Sequence, residues 1–225
     1  MLNLFFRDAL VSDCVLQEFG DTLRIHHCFS NEPFTKDKFE HALVRVFGIC
    51  GKAAQFARRG NPGHDVTIES VAFSLKTQAA ANTRTDSIHI SKFMELGKGE
   101  WGDRIEDLEG LRERFFSHLQ RYERILTLRR IPRPSLQFYE LVEIPKSLLL
   151  EAARGEFEMM FASSQHPKPG TCTVKDNEGN VKFQLYFDGG TERKLQIRSI
   201  NKNLCMIHGT WEWEEGTKIT VEAVL

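Results

Sequence analysis

The chain has 225 residues, 41% hydrophobic and 27% charged, and its 30 Lys and Arg nearly balance 31 Asp and Glu. That length buries one substantial core, the composition excludes a disordered or fibrous protein, and a formal net charge of −1 excludes a strong global pull toward polyanions. No stretch approaches the ~20 apolar residues of a membrane span, so the reading is one domain over 1–225, cytoplasmic and without a membrane partner.

Cys14, Cys28, Cys50, Cys172 and Cys205 are odd in number, with no CxxC spacing for zinc, and read as free thiols. Thr35 suits a helix cap, and behind it Phe39, Ala42, Leu43, Val46 and Phe47 recur at helical spacing, giving one buried stripe. After the turn Asn61-Pro62-Gly63, the runs HDVTI and VAFSLKT have strand composition, and Glu69 and Ser70 between them predict a hairpin. SIHIS predicts a further strand. From about Arg104 to Arg124 the pattern predicts an amphipathic helix with Ile105, Leu108, Phe115 and Leu119 inward. ILTLRRI and QFYELVEI predict two strands around a Pro-Arg-Pro break, and Pro145 suits the start of the helix PKSLLLEAA. From Thr171 the chain reads as an antiparallel meander that turns at DNEGN and at Asp188-Gly189-Gly190 and continues through KLQIRSI, LCMIHGTWEW and TKITVEAV. Early helices and late strands predict an α/β (α+β) fold, a mixed central sheet flanked by helices with an antiparallel C-terminal meander.

Residues 112–133 carry seven arginines (112, 114, 121, 124, 129, 130, 133) and residues 182–202 carry five basic side chains, two patches suited to phosphates or simply to water. The sharper signal is the hairpin. Asp65 opens one strand and Lys76 lies toward the end of the next, which is the layout of a PD-(D/E)xK nuclease site. There an acid binds Mg²⁺ and a lysine positions the attacking water, because residues i and i+2 of a strand share a face. The position two before Lys76 is Ser74, where an acid is expected. Gln78 on the same face, Glu69 in the turn, or Glu40 beside the apolar stripe of the earlier helix are the substitutes, with Glu40 preferred. Each residue also has a plainer reading as a turn or solvated side chain. His26, His27 and His89 have no metal-ligand spacing and read as structural.

At NPGHDVTIES, SLKT, ELGKGEW, ELVEIPKSLLLEA and LYFDGGTERKLQIRSI, the chain resembles the SmaI family of type II restriction endonucleases, from about residue 30 to about residue 213. The stretch from Asp65 to SLKT also resembles the MutH mismatch-repair nucleases, whose motif has ELKT. These resemblances imply a PD-(D/E)xK fold, a bacterial enzyme, Mg²⁺ as cofactor, double-stranded DNA as partner, a homodimer, and blunt cleavage within CCCGGG. They place Asp65 and Glu40 as metal ligands and Lys76 as the catalytic lysine. A MutH-like nicking enzyme and a DNA-binding protein without catalysis are the alternatives. Sequence reading is assigned to Arg193, Lys194 and Arg198, on the antiparallel strands of roughly 170–213, because arginine and lysine pair with guanine O6 and N7 in the major groove. The catalytic core is assigned to roughly 30–130.

Overall fold

The structure, a computed structural model, describes residues 10–58, 63–97 and 101–214. Its elements in order are α1 (Asp13–His27), α2 (Lys36–Ile49), β1 (Ala54–Phe56), β2 (Val66–Ile68), β3 (Val71–Gln78), β4 (Ser87–Glu95), α3 (Ile105–Leu119), β5 (Arg124–Arg130), β6 (Leu136–Glu143), α4 (Lys146–Leu150), β7 (Glu156–Met159), β8 (Gly170–Lys175), β9 (Val181–Phe187), β10 (Lys194–Asn201) and β11 (Met206–Glu214).

Two sheets result. The first has the order β1-β2-β3-β5-β6-β11 and is mixed, since β3 and β5 run parallel and the other pairs antiparallel. Its parallel step needs a long crossover, supplied by β4 and α3. The second, β4-β10-β9-β8-β7, is antiparallel. The mixed α+β class expected from the sequence is therefore present.

Alternation sorts the first sheet's side chains into two cores. Phe73, Leu75, Leu126, Leu128, Tyr139 and Leu141 pack under α1 and α2, whereas Ile125 and Val142 face the core shared with α3 and the second sheet. Thr35 caps α2 by accepting from the Lys38 N–H, and the five stripe residues of that helix are all buried. The β2–β3 hairpin turns at Glu69 and Ser70, both in the left-handed region (φ 48° and 69°), which is the turn whose twist matches two antiparallel strands. Glu69 is spoken for: its carboxylate accepts from the Ala53 N–H at 2.6 Å.

Four expectations need correction. Helix α3 ends at Leu119 and Arg124 already begins β5; Leu111, not Ile105, completes the inward stripe Leu108, Leu111, Phe115, Leu119, while Ile105 in the first turn is 43% exposed. The strand in LCMIHGTWEW leaves the meander and pairs with β6, because Trp211 and Trp213 find their apolar cover beside α1: Trp211 Nε1 donates to the Leu16 carbonyl and Trp213 stacks on Tyr139. Strand β4 takes the vacated edge beside β10. Finally, Cys14 and Cys50 form a disulfide, since α1 and α2 bring their Cα atoms to 6.0 Å, so only Cys28, Cys172 and Cys205 are free thiols. The run TKITVEAV lies outside the described residues.

Candidate active site

Asp65 stands immediately before β2, but its backbone already follows the ladder, its N–H donating to the Phe73 carbonyl and its carbonyl accepting from Ala57. Its side chain therefore faces the same way as Ser74 and Lys76, opposite to Phe73 and Leu75, which lie in the core under α2. One carboxylate oxygen, Oδ2, accepts from the Leu75 N–H at 2.6 Å and the Ser74 hydroxyl at 3.4 Å. The other, Oδ1, accepts from Lys36 Nζ at 2.7 Å. Lys36 also contacts Glu40 Oε1 at 3.2 Å, one turn along α2. Two carboxylates from separate elements thus converge on one cation. Burial raises the Glu40 carboxyl pKa, with Lys36 opposing and Asp65 adding to the rise.

Lys76 lines a cavity of about 840 Å³ together with Lys36, Asp65 and Ser74. Its ammonium sits 5.3 Å from the centre of the Phe93 ring. Burial brings its pKa from 10.5 to about 8, with nearby Asp65 holding it up and Lys36 pressing it further down. Ser74, in the position where an acid is expected, is 1% exposed and lines the cavity beside Asp65 and Lys76, so a small neutral hydroxyl stands where a charge is expected. Gln78 does not replace it, because its Oε1 accepts from Arg129 Nε at 2.9 Å inside a buried network with Glu140. Of the substitutes considered from sequence, Glu40 alone reaches Asp65's counterion.

The arginine-rich segment divides. Arg114 and Arg121 line the cavity together with Lys36 and Lys92. Arg129 is fully buried against Glu140, Arg124 pairs with Glu143, Arg133 pairs with Glu212, and Arg112 lies over Phe157 and donates to the Ala152 and Ala153 carbonyls. A charge count along the sequence cannot separate these roles. Lys36 escapes a sequence reading for a similar reason: a lysine opening a helix looks like a solvated charge. Its i,i+4 spacing to Glu40 is the available signal. His118 escapes it too; it lines the cavity on α3, and burial, then Lys76 and Arg121, lower its pKa to about 4.

The three residues assigned to base reading differ in their settings. Arg193 sits in the turn with φ 41° and lines another cavity with Gln165 and Gly190, which shares Glu95 with the cavity of Asp65 and Lys76. Lys194 pairs with Glu192 at 3.0 Å. Arg198 lines a second cleft with Gln78, Arg84 and His89, which shares Thr77 and Ser91 with the cavity of Asp65 and Lys76. Its Nε and Nη2 donate to Gln196 Oε1 at 3.0 and 2.9 Å, and its guanidinium lies 3.4 Å from the centre of the Tyr186 ring. Gln196 is in turn held by Asp188. In the preceding turn Gly189 is glycine because a Cβ there would overlap the Pro167 carbonyl, a packing reason internal to the fold.

As to a metal, the carboxylates of Asp65 and Glu40 are hard oxygen donors already gathered on one positive charge, which fits a cation that takes one or two carboxylates and completes its shell otherwise. Among the described residues no cluster of three or more His, Cys, Asp or Glu is placed to hold a metal. Also among them, no helix is long and apolar enough to cross a membrane.

Residues 5–213 match the family described as SmaI, type II site-specific deoxyribonuclease, so the likeness begins well before residue 30. The type II restriction enzyme SmaI of Serratia marcescens is 50% identical over 206 residues, covering 91% of this chain and 81% of that relative. No solved structure matches the chain. With a hairpin that sets Asp65 beside Lys76 in a basic cleft, and a family match over nearly its whole length, the chain belongs to the SmaI family of type II restriction enzymes and is a site-specific DNA endonuclease.

Proposed function

We propose that the protein is a Mg²⁺-dependent, cytoplasmic homodimer, one nuclease domain per chain, that cuts both strands of duplex DNA bluntly within CCCGGG. The observation that carries the metal assignment is the convergence of Asp65 Oδ1 and Glu40 Oε1 on one cation, with Asp65 and Lys76 lining one cavity. Asp65 and Glu40 would hold the ion, with the main-chain carbonyl near Leu75 as a further oxygen donor. When bound, Mg²⁺ supplies positive charge to the scissile phosphate and acidity to the attacking water. Lys76 orients that water, and the Leu75 N–H keeps Asp65 aimed by occupying its other oxygen. Arg114 and Arg121 grip flanking phosphates, which position the duplex without specifying it.

Base reading falls to the segment carrying Arg193, Lys194 and Arg198. The restraint of Arg198 by Gln196 and Tyr186 favours it as the principal reader, since a guanidinium fixed before binding loses little freedom when it pairs with guanine. A dimer follows from the target: a palindrome cut on both strands presents two symmetric sites.

Incubating the purified protein with plasmid and Mg²⁺, then sequencing the ends, tests the reading. Blunt double-strand ends inside CCCGGG are expected. Nicks would favour the MutH-like alternative, and intact plasmid with a gel shift would overturn cleavage.

A further inference from the structure

The point on which the two acids converge is occupied by a charge of the chain's own. Lys36 opens α2, and its ammonium contacts Asp65 Oδ1 and Glu40 Oε1 at 2.7 and 3.2 Å. Asp65 Oδ2 is already taken by the Leu75 N–H and the Ser74 hydroxyl, so Oδ1 is the oxygen that turns toward Glu40. A divalent ion using Oδ1 and Oε1 would come within contact distance of the ammonium, and like charges that close repel strongly at a protein surface. Both cannot stay. The lysine is the group able to leave: its side chain is 42% exposed, more than those of its two partners, and it hangs on a flexible four-carbon stem.

We propose that Lys36 is a built-in competitor for the divalent cation, neutralising the Asp65–Glu40 pair until the ion displaces it. The proposal rests on the reading that these two carboxylates form the metal site. A compact ammonium suits the role, since it supplies a point charge without the fixed fork of a guanidinium. Its consequence is that the site's affinity for a divalent cation is set below what two converging carboxylates would give, and the charge balance of the pair is kept in the absence of that ion.

The test needs no DNA and no activity. Manganese(II), which favours the same oxygen donors, is titrated into the full-length protein and the free ion counted by its electron paramagnetic resonance signal. Wild type, Lys36→Met, Lys36→Gln and Asp65→Asn are compared, each first shown folded by circular dichroism. The expected result is that Lys36→Met and Lys36→Gln bind Mn²⁺ about tenfold tighter or more, and melt at lower temperature than wild type without metal but show a larger Mn²⁺-induced rise. Equal or weaker binding in both lysine variants overturns the competitor role alone. Binding that is absent in every protein, or unaffected by Asp65→Asn, overturns the metal assignment and the competitor with it.

Discussion

At the scale of single residues, Lys76 shows what the site costs. Its pKa is lowered by burial from 10.5 to about 8, so the folded state holds its proton less tightly than the unfolded chain. Stability should therefore rise as pH increases from about 8 toward 10.5, and below 8 the charged lysine is a burden on the fold. Lys76→Met is expected to remove cleavage and to raise stability at pH 7 by about 1 kcal/mol, as trading a functional charge for an apolar side chain commonly does. A melting temperature below wild type would show that the ammonium stabilises its surroundings. Asp65→Ala should likewise abolish cleavage, and activity within tenfold of wild type would remove it from the site. For Glu40→Gln, shape is kept and charge lost, so the rate should fall strongly and recover in part at high Mg²⁺; an unchanged metal dependence would return Glu40 to the solvated face of α2. For base reading, Arg198→Ala is expected to weaken cognate binding by about 1–3 kcal/mol while sparing a scrambled duplex at the same salt. Arg193→Ala, without a comparable restraint, should cost less on the cognate site, and the reverse order would make Arg193 the reader.

Among the elements, two helical glycines separate local propensity from packing. Gly110 lies on the exposed face of α3 with open space where a Cβ would stand, so Gly110→Ala should stabilise by about 0.5–1 kcal/mol through helix propensity alone. Gly20 in α1 is buried where the helix crosses β11, and a Cβ there would run into the Trp211 ring. Gly20→Ala is therefore expected to destabilise by about 1–3 kcal/mol despite the same propensity gain. Denaturant titration of both variants checks the pair; equal stabilisation would mean that α1 and β11 are not closely docked. Trp211 matters here twice, since its indole N–H also donates to the Leu16 carbonyl.

For the whole molecule, acid sensitivity should be marked. His27 and His118 are each held neutral, chiefly by burial, with pKa values lowered from 6.5 to about 4. The unfolded chain binds more protons than the folded one between these values, so stability is lost as pH falls from 6.5 toward 4. His27 accepts from the Tyr139 hydroxyl through Nε2 when Nδ1–H donates to the Ser30 carbonyl, an arrangement that a second proton disturbs. His27→Gln should flatten the decline, measured by chemical denaturation in pH steps, and an unaltered slope would assign the decline to other groups. The proposed dimer predicts twice the chain mass by light scattering.

Much of this protein was legible in the residues. Local rules sufficed where neighbours in sequence are neighbours in space: the Thr35 cap and the five-residue stripe of α2, the Glu69-Ser70 turn, and the Asp65 and Lys76 pair on adjacent strands. The remainder depends on segments far apart in the chain. The place of β11 beside β6 rather than β10 was decided by which apolar face could cover Trp211 and Trp213. The fates of the arginines between 112 and 133 were decided by what faced each one: a carboxylate for Arg124, Arg129 and Arg133, an open cleft for Arg114 and Arg121, and backbone carbonyls for Arg112 and Arg130. The Cys14–Cys50 disulfide needed two helices docked side by side, and Lys36 became part of the site only when α2 met the β2–β3 hairpin. Periodicity and turn chemistry act over a few residues, whereas partner choice for a charge, a thiol or a strand edge is settled by packing across the whole fold.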